Sequence, residues 1–121
     1  MEIVKLNETI DNMLSDKWEH RLLAEFKQVA TRLCSLSTYV ENLRFRPEDK
    51  GSAYLEVFMK QTATMHMYAL LLLARLLDTN LEIPKTLTDE IFKAMGANPT
   101  TREEMRRLVN KAINLTWRDI Q

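Results

Sequence analysis

The stretch Met65–Leu77, MHMYALLLLARLL, decides the fold. As a helix it is apolar on nearly every face, and a two-helix hairpin covers only one side of such a segment. Several neighbouring helices or a second copy of the chain must bury the rest. The run is too short to span a bilayer, which takes about 20 apolar residues, and it contains His66 and Arg75. It is therefore read as buried helix with no membrane role. Met65, Tyr68, Leu70, Leu73 and Leu77 are its candidate interface residues, and the chain is expected to self-associate as a homodimer or higher oligomer.

Upstream, Tyr54, Val57, Phe58, Gln61, Met65, Tyr68 and Leu72 extend this helix at helical spacing, giving a long helix over about 50–78. A first long helix is expected over 15–45. Trp18, Leu22, Phe26, Val29, Leu33, Leu36, Val40 and Leu43 alternate steps of four and three, a packing stripe close to a coiled-coil seam. Pro47 stops it, because the residue before a proline is biased away from helix. The loop centred on RFRPEDKGS joins the two into an antiparallel hairpin, each arm roughly 27 residues or about 40 Å long.

Residues 1–14 read as an arm or short helix that buries Ile10 and Leu14. Beyond the hairpin, a short helix over 88–95 has Thr86 or Thr88 as its cap, with Asp89 and Glu90 in its first turn. Gly96 suits the position after its end. Thr100 with Glu103, and Thr101 with Glu104, both fit the capping-box pattern that opens a last helix over 101–119. Met105, Leu108, Val109, Ala112, Ile113 and Trp117 form its apolar face. The expected fold is all-α: a long helical hairpin with two shorter C-terminal helices, bundle-like, in one domain, completed by oligomerisation.

Composition narrows function. The chain has 121 residues with 17 basic and 17 acidic side chains, so its formal net charge is zero. Nucleic-acid binders usually carry excess positive charge, which makes that partner unlikely here. Cys34 is the single cysteine, which rules out an intrachain disulfide and fits an intracellular protein. The mixed N-terminal segment MEIVKLNETIDNM is unlike a signal peptide, so a cytoplasmic location is expected.

Catalytic and ligand chemistries find few residues. Gly51 and Gly96 stand alone, so no phosphate-cradling loop is present. Cys34, His20 and His66 are too few for a closed zinc site, and Glu19–His20 lacks the Glu-x-x-His spacing of a di-iron helix. Cys34 reads as a small buried side chain, His20 as a surface residue and His66 as a packed or interface histidine. No metal, no cofactor and no enzymatic activity is expected; Tyr68, His66 and Glu56 are the one cluster to test for catalysis. Two basic groups remain as partner-binding candidates. Arg44, Phe45 and Arg46 lie in the hairpin loop, where an aromatic between two arginines suits an anchor. Arg107, Lys111 and Arg118 share a face of the last helix, which Arg102 and Arg106 extend. The seven methionines suit an irregular core or an adaptable binding surface.

Gln61, Met65, Tyr68, Leu72 and Arg75, preceded by a charged amphipathic helix and a short polar loop, give residues 18–77 a pattern that resembles small helical bacteriophage-encoded proteins. These include accessory proteins and inhibitors of host defence that bind proteins or cyclic nucleotide signals. The all-round apolar half-helix, the long stripes and the missing catalytic motifs point to a non-enzymatic helical protein–protein interaction module, and the resemblance implies that it is a phage inhibitor or regulator that binds a host protein. The alternative is a binder of nucleic acid or an anionic nucleotide through the basic C-terminal helix face.

Overall fold

The computed structural model describes residues 5, 6, 8, 10, 18–44 and 53–120. Four helices are defined: α1 (Trp18–Arg44), α2 (Ala53–Leu76), α3 (Lys85–Ala94) and α4 (Arg102–Ile120). All regular structure among the described residues is helical, so the all-α hairpin with two shorter C-terminal helices is the observed architecture. Lys5, Leu6, Glu8 and Ile10 are also helical, and Ile10 is fully buried in the main core. α1 packs along α2, α4 packs on α2, and α3 packs on α1.

The leucine run of α2 is enclosed by the chain itself. Met67, Ala69, Leu70, Leu72, Leu73 and Leu76 have no solvent exposure, and they share one core with Leu22, Phe26, Ile91, Phe92 and Val109. Three other helices supply the cover that the all-round apolar segment demands. Leu70, Leu73 and Leu77, expected at an interface between copies, are therefore interior side chains of one chain. Met65 and Tyr68 are only partly buried, against the same core.

At the loop end of the hairpin the helices are less well covered. The buried positions there are Val40 and Leu55, with Phe58 packed on them. Tyr39 stands edge-on to Phe58, with ring centroids 4.8 Å apart at 81°. Val57, expected on the packing stripe, is 50% exposed, and Leu55 takes the buried position instead. Helical geometry gives the reason: Leu55, Phe58 and Thr62 share the face that meets α1, and Val57 and Gln61 fall on its flank. Among the described residues no third helix lies beside that flank, and an apolar residue there is left in solvent.

The ends of α3 and α4 follow their local signals with two changes. Pro84, not Thr86 or Thr88, stands at the start of α3. Its fixed φ suits a helix start, and it needs no partner for a missing N–H. Asp89 is thus past the first turn, where it pairs with Lys85 at 3.8 Å. At the other end the Gly96 N–H donates to the Lys93 carbonyl and the Ala97 N–H to the Phe92 carbonyl, both at 3.0 Å. Gly96 has φ +68°, and together these form the Schellman closure for which glycine is suited. Of the two capping boxes, Thr101 with Glu104 forms: the Glu104 N–H donates to Thr101 Oγ1 at 3.1 Å. The Glu104 carboxylate reaches back to the N–H of Thr100 at 3.0 Å, one residue earlier than the standard box.

Candidate functional site

The last carbonyls of α2 need donors, because a helix leaves its final C=O groups unpaired. The segment Asp78–Thr79–Asn80 offers no glycine for a left-handed cap. The Leu77, Asp78 and Thr79 N–H groups take the Leu73, Arg75 and Leu76 carbonyls, and two arginines from α4 take carbonyls of the connection that follows. Arg102 Nη1 donates to the Thr79 carbonyl at 2.6 Å, and Nη2 donates to the Leu81 carbonyl. Arg106 Nη2 donates to the Leu77 carbonyl at 2.6 Å, and its Nε lies 3.2 Å from Asp78. Thr79, itself buried, donates to the Leu76 carbonyl and accepts from the Leu81 N–H. Arg102 and Arg106, read from sequence as part of a solvated basic face, thus hold the α2–α3 connection in place. That face is reduced to Arg107 and Lys111, which are exposed. The side chains of Arg44 and Arg118, and all of Phe45 and Arg46, lie outside the described residues.

The uncovered part of the hairpin carries two grooves, one on each side of the α1–α2 seam. The open groove, about 810 Å³, is lined by Arg32, Leu36, Val57, Lys60, Gln61 and Met65 among others. The second, about 570 Å³, is partly roofed by α3 and lined by Leu33, Val40, Met59, Ala63, His66 and Ile91. Threonines border both. The Thr31, Thr38, Thr62 and Thr64 hydroxyls each donate to the carbonyl four residues earlier, at 2.7–3.0 Å. With their hydroxyls turned onto their own helices, these residues offer mainly methyl groups to the grooves. The walls are more apolar than their composition suggests.

Electrostatics set the grooves apart. Arg32 and Lys60 stand on opposite rims of the open groove, and Lys60 also pairs with Glu56 at 3.8 Å on the exposed surface. In the roofed groove, burial lowers the pKa of His66, while a hydrogen bond at the Ile91 backbone works against the shift. His66 Nε2 is buried and has no hydrogen-bond partner. Burial, followed by the nearby Glu90 carboxylate, raises the Cys34 thiol, so Cys34 stays protonated and serves as a small wall residue. Tyr68 donates to Glu25 at 3.3 Å. Burial, then the Glu25 charge and this bond, push Tyr68 up to about 12.

Tyr68, His66 and Glu56 do not assemble as a cluster. Tyr68 turns to α1, His66 turns to α3, and Glu56 pairs with Lys60 in solvent. No three His, Cys, Asp or Glu side chains gather in a metal-holding arrangement among the described residues. Likewise no helix there is long and apolar enough to cross a membrane. The grooves themselves were not legible as sites in the sequence. Their one signal was the excess of apolar residues, Val57 and Met59 included, over what two helices can bury against each other. No family model, curated protein or solved structure matches the chain.

Proposed function

We propose that the chain is a non-enzymatic helical interaction module that holds a partner protein along the open groove of the α1–α2 hairpin. The supporting observation is the groove itself: apolar side chains at Leu36, Val57 and Met65 stand between cations at Arg32 and Lys60. An amphipathic helix with acidic residues beside its apolar stripe complements that pattern. A phage-type inhibitor or regulator that holds a host protein is one form of this function, and self-association through the same groove is another. The alternative reading, nucleic-acid or nucleotide binding by the last helix, loses support because Arg102 and Arg106 are committed to backbone carbonyls.

A photo-crosslinking residue at exposed Val57, compared with one at exposed Asn110 on α4, tests the reading in cells. Protein adducts formed from position 57 and not from 110 support it, and an adduct of twice the chain's mass identifies the partner as a second copy. No adduct, or equal adducts from both positions, overturns it.

A further inference from the structure

His66 as a residue is half-buried, and Nε2 is its enclosed end, with no hydrogen-bond partner. Whichever nitrogen carries the proton of the neutral ring, the imidazolium carries one on each. Protonation therefore sets a charged N–H at Nε2, inside the protein and without an acceptor. A buried charge with no partner is strongly unfavourable. Burial already holds the ring towards its neutral form.

The neighbours offer no compensation. Ile91 of α3 lines the roofed groove with His66, and its side chain belongs to the main core. The ionisable groups of that lining are Cys34 and Glu41 on α1 and Glu90 and Lys93 on α3; α4 supplies none. Glu41, Glu90 and Lys93 are exposed, and neither carboxylate accepts from Nε2. Cys34 stays a thiol. One turn away on α2 itself, Thr62, Ala63, Ala69 and Leu70 are uncharged.

Of the helices that meet at the ring, α3 is the one able to move. It has ten residues, against 27 in α1 and 24 in α2, and its buried anchors are Thr88, Ile91 and Phe92. Its Lys85–Asp89 ion pair lies within the helix, and Pro84 and Gly96 mark its two ends. We propose that α3 is an acid-sensitive flap: a proton on His66 displaces α3 from the α1–α2 hairpin and opens the roofed groove. The two apolar anchors oppose a single proton, so opening at neutral pH is rare and grows with acid. The device is on the flank opposite Val57 and does not depend on the protein-binding reading.

The test follows amide exchange and the His66 ring resonances in the full chain. The Ile91 and Phe92 amides are expected to exchange through an opening of α3 alone, faster than the Val109 amide of α4. From about pH 6.5 downward that opening should grow by up to about tenfold per pH unit, after correction for the intrinsic pH dependence of exchange. In His66→Gln the growth should vanish. Asp89→Gly, at an exposed position of α3, should favour the open form about threefold. Because coupling is reciprocal, it should also raise the His66 titration midpoint by about half a pH unit. Asn110→Gly on α4 should leave the midpoint in place. The proposal is overturned if Ile91 and Phe92 exchange at the rate of Val109 at every pH, or if the pH slope persists in His66→Gln. A midpoint unmoved by Asp89→Gly also overturns it, as expected of a ring that swings into solvent with α3 still seated. The midpoint is read in a protein that keeps His66, so the result stands even if His66→Gln fails to fold.

Discussion

The two halves of the α1–α2 hairpin are built from the same helices and differ in what surrounds them. At one end Phe26, Leu70 and Leu73 are wholly enclosed, because α3 and α4 complete a four-helix layer around them. At the other end Tyr39, Val57 and Met59 stand 40–50% exposed. Hydrophobicity alone does not separate these sets. Ala69, a weakly apolar residue, is fully buried, while Val57 on the same helix is half in solvent. The number of neighbours a position can recruit decides its burial, and the half that recruits fewest leaves apolar surface in solvent.

The sharpest break in this comparison comes from truncating one apolar side chain in each half. Phe26→Ala should lower the unfolding free energy by about 3–5 kcal/mol in urea melts. Val57→Ala, at the other extreme, should stay within about 0.5 kcal/mol. A large loss at Val57 would mean that the flank is covered after all. Between these limits lies the clamp that closes the enclosed end. Arg102→Ala should cost roughly 1–3 kcal/mol, since the Thr79 and Leu81 carbonyls lose their donor. Hydrogen exchange should then rise first at Thr79 and Leu81. A loss no greater than that of exposed Lys111→Ala would remove the clamp from the account.

A pH series sharpens the comparison from the boundary between the halves, where His66 sits. Its folded-state pKa lies below the ordinary value of 6.5. The unfolded chain therefore takes up a proton first as pH falls. The stability linked to His66 is complete above about pH 6.5 and is lost as pH drops from there through the lower, folded value. His66→Gln should flatten that part of the stability–pH curve. A native curve already flat there would contradict the burial of the ring. Tyr68 acts at the other limit. Its pKa of about 12 exceeds the ordinary value of 10.0, so its contribution is lost as pH rises from 10 towards 12.

Periodicity made the enclosed half readable and left the open half ambiguous. The stripe Leu22–Phe26–Val29–Leu33 is buried as its spacing requires, and the all-round apolar run Met67–Leu77 is surrounded as it must be. Sequence alone left open whether the cover came from the chain or from a second copy, because the faces of α4 carry no mark of their target. In the open half, Val57 and Leu55 are equally apolar choices for the seam. Only the angle at which α2 meets α1 selects Leu55. The clamp was hidden for a different reason. Arg102 and Arg106 have the spacing of any solvated helix face, and the carbonyls that they satisfy belong to a segment more than 20 residues away. The orphaned Nε2 of His66 arises where three helices meet, and no local pattern announces it.

The clamp from α4 to the end of α2 also has a meaning in time. A ribosome makes α2 before α4, so the leucine run emerges while Val109 and the two arginines are still unmade. Through that interval α1 can cover one face of the run, and its remaining faces are open to any apolar surface nearby. The chain is at its most adhesive before its last helix arrives. A chaperone that shields Leu70–Leu73 during synthesis, or a slow codon placed after Leu77, would act on this window and leave the finished fold untouched.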